Sequence, residues 1–394
     1  MATATLAVVE NALKTYFKDP IIKQLDEKSG PILAALEKDA DDIVGGKIQF
    51  SLEYGRSGGV GARAENGDLP AASPRKSEKA IVETKNLYSR LALTDKLIKV
   101  SKDNRASFVN QFTHQMDNLL FDSNDMLRRN MVGSSTGVMG TITAAVGTAT
   151  DTFTLDGSVE AFYPGQLIDL GTVSGGVFTP STQSAEVVDV DYDNKQIVLA
   201  SAITTAANTV ITLAGNYGNE LTGLDDIMNA TVLYTVDRTT KKWFKPSSVA
   251  FGVSPTAFDS LKLQKAIDTI EKRIGEKPNF IACDDGVQRA YIDEQTTYKR
   301  NIEPMEVDGG YKLVTYSGIP ISVEKYMPAN TLYLLNTKWI KLSRIEPWDW
   351  MDADGSILSR IKDKAAYEAT LVMYGDLICM KPAANGVCTN ILEQ

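Results

Sequence analysis

The chain has 394 residues, 43% apolar and 23% charged, with a formal net charge of −9. That composition excludes a disordered polymer, and the length allows two to three domains that need no disulfide or metal staple. The acidic balance argues against a protein that wraps nucleic acid in a basic surface.

Smaller inventories exclude more. Cys283, Cys379 and Cys388 have neither CxxC spacing nor a nearby His, which speaks against a structural zinc site and for free thiols in a reducing cytoplasm. The one histidine, His114, leaves Ser-His or Cys-His catalysis hanging on a single residue. The opening MATATLAVVENALK lacks a basic n-region and carries Glu10, so it does not read as a secretory signal. No window of about 18 apolar residues predicts a membrane span.

In chain order, KIQFSLEY (47–54) and EKAIVETKNLYSRLALT (78–94) alternate as two long strands. The stretch between them is packed with Gly, Pro, Ser and charge. Together they predict a long hairpin whose tip has too few apolar residues to bury itself, and which needs a neighbour to lie on. From Ser101 to Met131, apolar residues recur in steps of three and four: Phe108, Val109, Phe112, Met116, Leu119, Leu120, Met126, Leu127 and Met131. This predicts a long spine helix capped by Ser101, with Asp103 at the dipole end and Gly133 as its stop.

Residues 141–214 carry eight acids against one base, Lys195, so this segment holds −7 of the charge. Its short runs TFTL (152–155), QLIDL (166–170), EVVDVDY (186–192), QIVLA (196–200) and TVITLA (209–214), with Asp193-Asn194 as a turn, predict an inserted all-β module. Beyond it, 221–230 reads as a short helix. An amphipathic helix starting at Ser254-Pro255 and ending at Gly275 follows. Strands at 279–283, 312–316, 319–325 and 330–336 and a helix near 285–295 suggest a compact α+β unit. From about 340 the chain reads mainly as strand.

Candidate chemistry is thin. GRSGGVGAR (55–63) lacks the Lys-Ser/Thr and the following helix of a phosphate cradle and reads as a hairpin tip. Asp189, Asp191 and Asp193 alternate like the start of a calcium loop, but Asn194 and Ala200 stand where Gly and Glu are needed. Asp349, Asp352 and Asp354 near Gly355 read as a polar turn. His114 lies off the apolar stripe with Asp117 three residues on, an ordinary helix pairing. Arg75, Lys76, Lys79, Lys85, Arg90, Lys96, Lys99, Lys102 and Arg105 outweigh Glu78, Glu83, Asp95 and Asp103 by five charges. With only Tyr88 among them, the stripe suits an acidic protein surface better than nucleic acid. No metal, cofactor or catalytic constellation emerges, so the chain reads as a non-enzyme.

The order of parts resembles the major capsid (coat) protein of tailed double-stranded DNA bacteriophages. RSGGVGARAENGDLPAA (56–72) is similar to an E-loop tip, SFVNQFTHQMDNLLFDSNDMLRRNMVG (107–133) to a spine, and 348–382 to the family's closing stretch. The resemblance implies an α+β tailed-phage coat-protein fold with an inserted all-β domain. It divides the chain into an N-terminal arm (1–45), E-loop hairpin (46–98), P-domain spine (99–140), inserted β-domain (141–215), P-domain continuation (216–257), A-domain (258–345) and C-terminal strands returning to the P-domain (346–394). It implies a subunit that assembles as hexamers and pentamers into an icosahedral virion shell, built in the host cytoplasm. Expected partners are a separate scaffolding protein, a portal, and weakly and non-specifically held double-stranded DNA. Arg56, Gly58, Gly59, Arg63, Glu65, Arg75 and Lys76 are the expected intersubunit contacts. The alternatives are an encapsulin-like nanocompartment shell, a carbohydrate-binding surface protein and a carboxylate-based hydrolase.

Overall fold

The computed structural model describes residues 30–39, 43–44, 46–96, 105–297, 304–307, 311–352 and 356–394. Its organising element is the 14-residue strand Ala366–Cys379. Ala369, Leu371, Met373, Leu377, Ile378 and Cys379 are buried along it. One edge of this strand pairs antiparallel with all of Lys85–Thr94, from Ala366↔Thr94 to Gly375↔Lys85. The other edge takes three shorter strands, Ile340–Arg344, Asp349–Trp350 and Ser359–Arg360.

The long helix Arg105–Val132 lies on this sheet, its Ser123 hydroxyl donating to the Ser89 hydroxyl at 2.7 Å. Met116, Leu120, Leu127 and Met131 are buried at the helical spacing that puts them on one face. Its 28 residues make a rod of roughly 42 Å. The expected caps Ser101 and Asp103 lie outside the described residues. Gly133 follows the helix, its N–H bonding to the Arg129 carbonyl at 2.8 Å.

The hairpin differs from the sequence expectation in two ways. Of the second run, only the part up to Glu83 pairs with Lys47–Tyr54, as the strand Lys76–Glu83 in register from Lys47↔Glu83 to Tyr54↔Lys76. The run 78–94 breaks at Thr84, whose N–H and hydroxyl both donate to the Gly46 carbonyl, and the rest crosses to the other sheet. The neighbour that the hairpin strands lie on is also in the same chain. Ile48, Leu52, Ala80 and Val82 are buried in the main core. Phe50 meets Tyr234 edge-on at 5.7 Å, and Tyr54 stacks on Trp243 at 4.5 Å. Only the tip lacks such support.

The insertion is six antiparallel strands, in the order Val138–Ile142, Thr209–Leu213, Leu167–Ser174, Val177–Asp191, Gln196–Thr205 and Val146–Thr154. A single bridge, Thr141↔Asp156, brings the two outer strands together. The module has its own core, with Phe153, Phe162, Ile168, Leu170, Val187, Ile197 and Ile211 nearly inaccessible. The chain enters and leaves side by side, since Val138 pairs with Thr212. Asp191 is a turn former, accepting bonds from the backbone N–H of Asp193 and Asn194 and from the Asn194 side chain.

A buried and a half-buried carboxylate fasten the two connecting segments. Glu220 pairs with Arg129, and Asp226 accepts from the Ser135 N–H at 2.6 Å. Gly223 passes so close to the helix end that a Cβ there would lie 2.1 Å from the Gly133 carbonyl oxygen.

The last unit is a seven-stranded mixed sheet, ordered Ser247–Ala250, Gly386–Thr389, Leu332–Leu335, Phe280–Cys283, Ile319–Val323, Tyr311–Tyr316 and Pro304–Val307. Alternation divides its side chains between two cores. Phe280, Ala282, Tyr333 and Leu335 face the main core. Ile281, Cys283, Leu332 and Leu334 face a second core with the helix Ser260–Ile274. Two expectations are corrected here. That helix starts after Asp259, whose side chain accepts from the Leu261 N–H, and not at Ser254-Pro255. The strand Gly386–Thr389 also joins this sheet, parallel to Ser247–Ala250, rather than returning with the strands before it.

Candidate assembly surface

Among the described residues, the hairpin tip is a long continuous stretch without a core. Residues 55–69 and 71–77 are all exposed. Two apolar side chains, Val60 at 86% and Leu69 at 87%, stand open to solvent. The loop is braced locally. Ser57 donates to the Ser73 carbonyl at 2.7 Å, the Gly59 N–H to the Ser57 hydroxyl at 3.3 Å, and Arg63 Nε to the Asp68 carbonyl at 3.1 Å. Gly55 takes a left-handed φ of 78° where the strand turns into the loop, which suits glycine. A Cβ on Gly58 would sit 3.2 Å from that of Ser73, so glycine lets the two arms approach.

All seven expected contact residues lie on this one exposed loop and its base. Arg56, Arg63, Glu65 and Lys76 point cations and one anion outward. Arg75 faces Glu53 at 4.0 Å, with both more than 60% exposed, a pair worth little on its own.

A surface of the opposite character lies between the strand Lys85–Thr94, the long helix and the insertion. It is a cleft of about 490 Å³ lined by Tyr88, Phe121, Met126, Tyr163, Tyr192 and Tyr326, with Asp122, Asp125 and Glu160 among them. Phe121 is 73% exposed. Burial pushes the Asp122 carboxyl upward, helped by Asp125, and burial does the same to Glu160. Asp125 accepts from the Tyr326 hydroxyl and faces Lys325 at 3.4 Å. Such a cleft suits a segment that is apolar and cationic.

The remaining candidates resolve into local roles. His114 is exposed, with Nε2 3.4 Å from Asn118 Nδ2. The three cysteines are free and buried, and burial pushes the Cys379 and Cys388 thiols up to about 12. Among the described residues, no group of three or more His, Cys, Asp or Glu side chains is placed to hold a metal. Part of the basic stripe is engaged within the chain. Arg90 pairs with Glu368, and Lys85 donates to the Gly218 carbonyl. Lys99, Lys102, Asp354 and Gly355 lie outside the described residues. No described helix is long and apolar enough to cross a membrane.

The sequence reading missed the aromatic cleft because it is assembled across four segments. It also missed a basic corner around Arg238–Lys245, although Lys241, Lys242 and Lys245 interleave there with Trp243 and Phe244.

No family model matches the sequence, and no curated protein matches it. Among solved structures, a chain of the cyanophage A-1(L) capsid asymmetric unit matches at a TM-score of 0.59 and 10% identity, over 92% of each chain. A capsid chain of an empty GTA particle matches at a TM-score of 0.48 and 9% identity, over 92% of this chain and 89% of that one. The SrpI encapsulin of Synechococcus elongatus PCC 7942 matches at 0.43 and 9% identity, over 91% of this chain and 85% of that one. At that level the cyanophage chain and this one share a fold, the α+β coat-protein fold with its spine helix, hairpin and second mixed sheet.

Proposed function

We propose that this chain is the major capsid subunit of a tailed bacteriophage. It assembles as hexamers and pentamers into an icosahedral shell around double-stranded DNA, a structural role and not an enzymatic one. The observation that carries the reading is an unsupported hairpin tip on a fold shared, over nine-tenths of the chain, with a phage capsid protein. A loop that exposes Val60 and Leu69 and has no core of its own is stabilised by covering those side chains. Repeated head-to-tail contacts of that kind close into rings and shells.

In this reading Arg56, Gly58, Gly59, Arg63, Glu65, Arg75 and Lys76 contact the adjacent subunit. The acidic insertion sits at the shell surface, where its charge keeps particles apart in solution. A separate scaffolding protein and a portal complete assembly in the host cytoplasm.

The test is to express the chain alone and follow it by size-exclusion chromatography and negative-stain electron microscopy. Closed shells, tubes or rings of five or six are the expected result. A monomer that persists under crowding and with a scaffolding partner would overturn the reading.

A further inference from the structure

The segment Thr239–Lys245 is basic, with Lys241, Lys242 and Lys245 around Trp243 and Phe244, and three distant parts of the chain converge on it. Arg273, in the last turn of the helix Ser260–Ile274, donates to the carbonyls of Lys242 and Lys245, both at 2.7 Å. Arg75 from the hairpin base and Lys381 from the end of the long central strand join Arg273 around a cleft of about 350 Å³. The stacked rings of Tyr54 and Trp243 form its wall. Lys381 extends the corner further, lying 4.9 Å from the Trp339 ring centre.

The acids at this corner are already engaged. Glu78 pairs with Lys241, Glu53 faces Arg75, and Glu276 accepts from the Trp339 indole N–H at 2.8 Å. Lys242 and Lys245 are exposed, and no described carboxylate lies within ion-pair range of either. A chain of net charge −9 thus carries a compact cationic corner.

We propose that this corner binds the phosphate backbone of double-stranded DNA. The duplex presents one charge for roughly every 1.7 Å of its axis, so several fixed cations find partners at once. Arg273 is held on backbone carbonyls and Lys381 over an indole ring, so little side-chain freedom is lost on binding. An acidic peptide would have to order itself to match the same spacing. The aromatic wall backs the cations and reads no base, so the contact is sequence-independent.

The inference does not depend on the shell reading. An unassembled chain presents the same corner, and shells that formed without DNA affinity would sink this proposal alone.

The experiment is fluorescence anisotropy of a fluorescein-labelled 20-base-pair duplex with the full-length chain. Binding should weaken roughly 40-fold between 50 and 200 mM salt, as about three phosphate contacts require. The double variant Lys242→Glu/Lys245→Glu should bind at least tenfold more weakly. The exposed pair Lys362→Glu/Lys364→Glu, elsewhere on the surface, should match the parent within twofold. Circular dichroism establishes that both variants are folded. Absence of binding at 50 mM salt, or equal loss in both variants, would overturn the assignment. So would displacement of the duplex by poly-glutamate at equal charge, which would assign the corner to an acidic protein instead.

Discussion

Thr222 donates twice to Asp376, from its backbone N–H at 2.7 Å and its hydroxyl at 2.8 Å. These residues are 154 positions apart, and the bonds tie the segment leaving the insertion to the central strand. The Leu377 N–H adds a third donor at 2.8 Å. Burial still wins, and pushes the Asp376 carboxyl up to about 7.

A carboxyl raised in the folded state takes up protons that the unfolded chain releases near pH 4. Its contribution to stability is therefore complete below about pH 4 and is lost as pH rises through about 7. Asp376→Asn, neutral at every pH, should remove up to roughly 1.4 kcal/mol per pH unit of slope across that window. Urea unfolding of parent and variant at pH 5 and pH 8 measures the difference. An unchanged slope in the variant would refute it.

Gly223→Ala should cost roughly 3 kcal/mol or more, because the new methyl meets backbone at the end of the long helix. Gly147→Ala is the matched control, since nothing lies within 4 Å of its Cβ position. It should change stability by less than about 0.5 kcal/mol. Thermal melts of the two variants separate close approach from a general intolerance of alanine.

Replacing residues 138–213 by a short Gly-Ser linker should leave the remainder folded. The strands Val138–Ile142 and Thr209–Leu213 are paired neighbours, so the gap to bridge is about one strand spacing, roughly 5 Å. The excised module has its own buried cluster and should fold alone. Far-ultraviolet circular dichroism and limited proteolysis of the two pieces check both halves of the expectation.

Arg56→Glu/Arg63→Glu should leave the subunit melting temperature within about 2 °C, since both side chains are exposed and Arg63 bonds only to carbonyls of the tip itself. Shell formation should be lost. Normal particles from this variant, imaged alongside the parent, would remove the tip from the assembly contact.

Much of the layout was legible because it is local. The apolar steps from Met116 to Met131 and the alternation in 186–200 need no distant partner to be read. The failures are places where tertiary context chose between local signals. Residues 78–94 read as one mostly alternating run, yet Thr84 is where one half joins the hairpin and the other joins Ala366–Cys379. Asp259 and Ser254 are both plausible helix caps, and Thr256 is drawn instead into a bridge with Ile391. Gly386–Thr389 finds its parallel partner about 140 residues upstream, a distance that periodicity does not encode. The exposed tip was readable from its lack of apolar residues. The aromatic cleft and the basic corner were not, since each is gathered from segments far apart in the chain.

The ten-residue ladder between Lys85–Thr94 and Ala366–Cys379 also sets a timetable for synthesis. The first strand leaves the ribosome roughly 270 residues before its partner, a wait of about 15–60 s at ordinary elongation rates. For that interval Leu87, Leu91 and Leu93 form an unsatisfied edge on a nascent chain, with the long helix beside them and no sheet to close against. A chain with this sheet closed therefore exists only after nearly all of it has been translated, and until then the ladder's first strand stands without its partner.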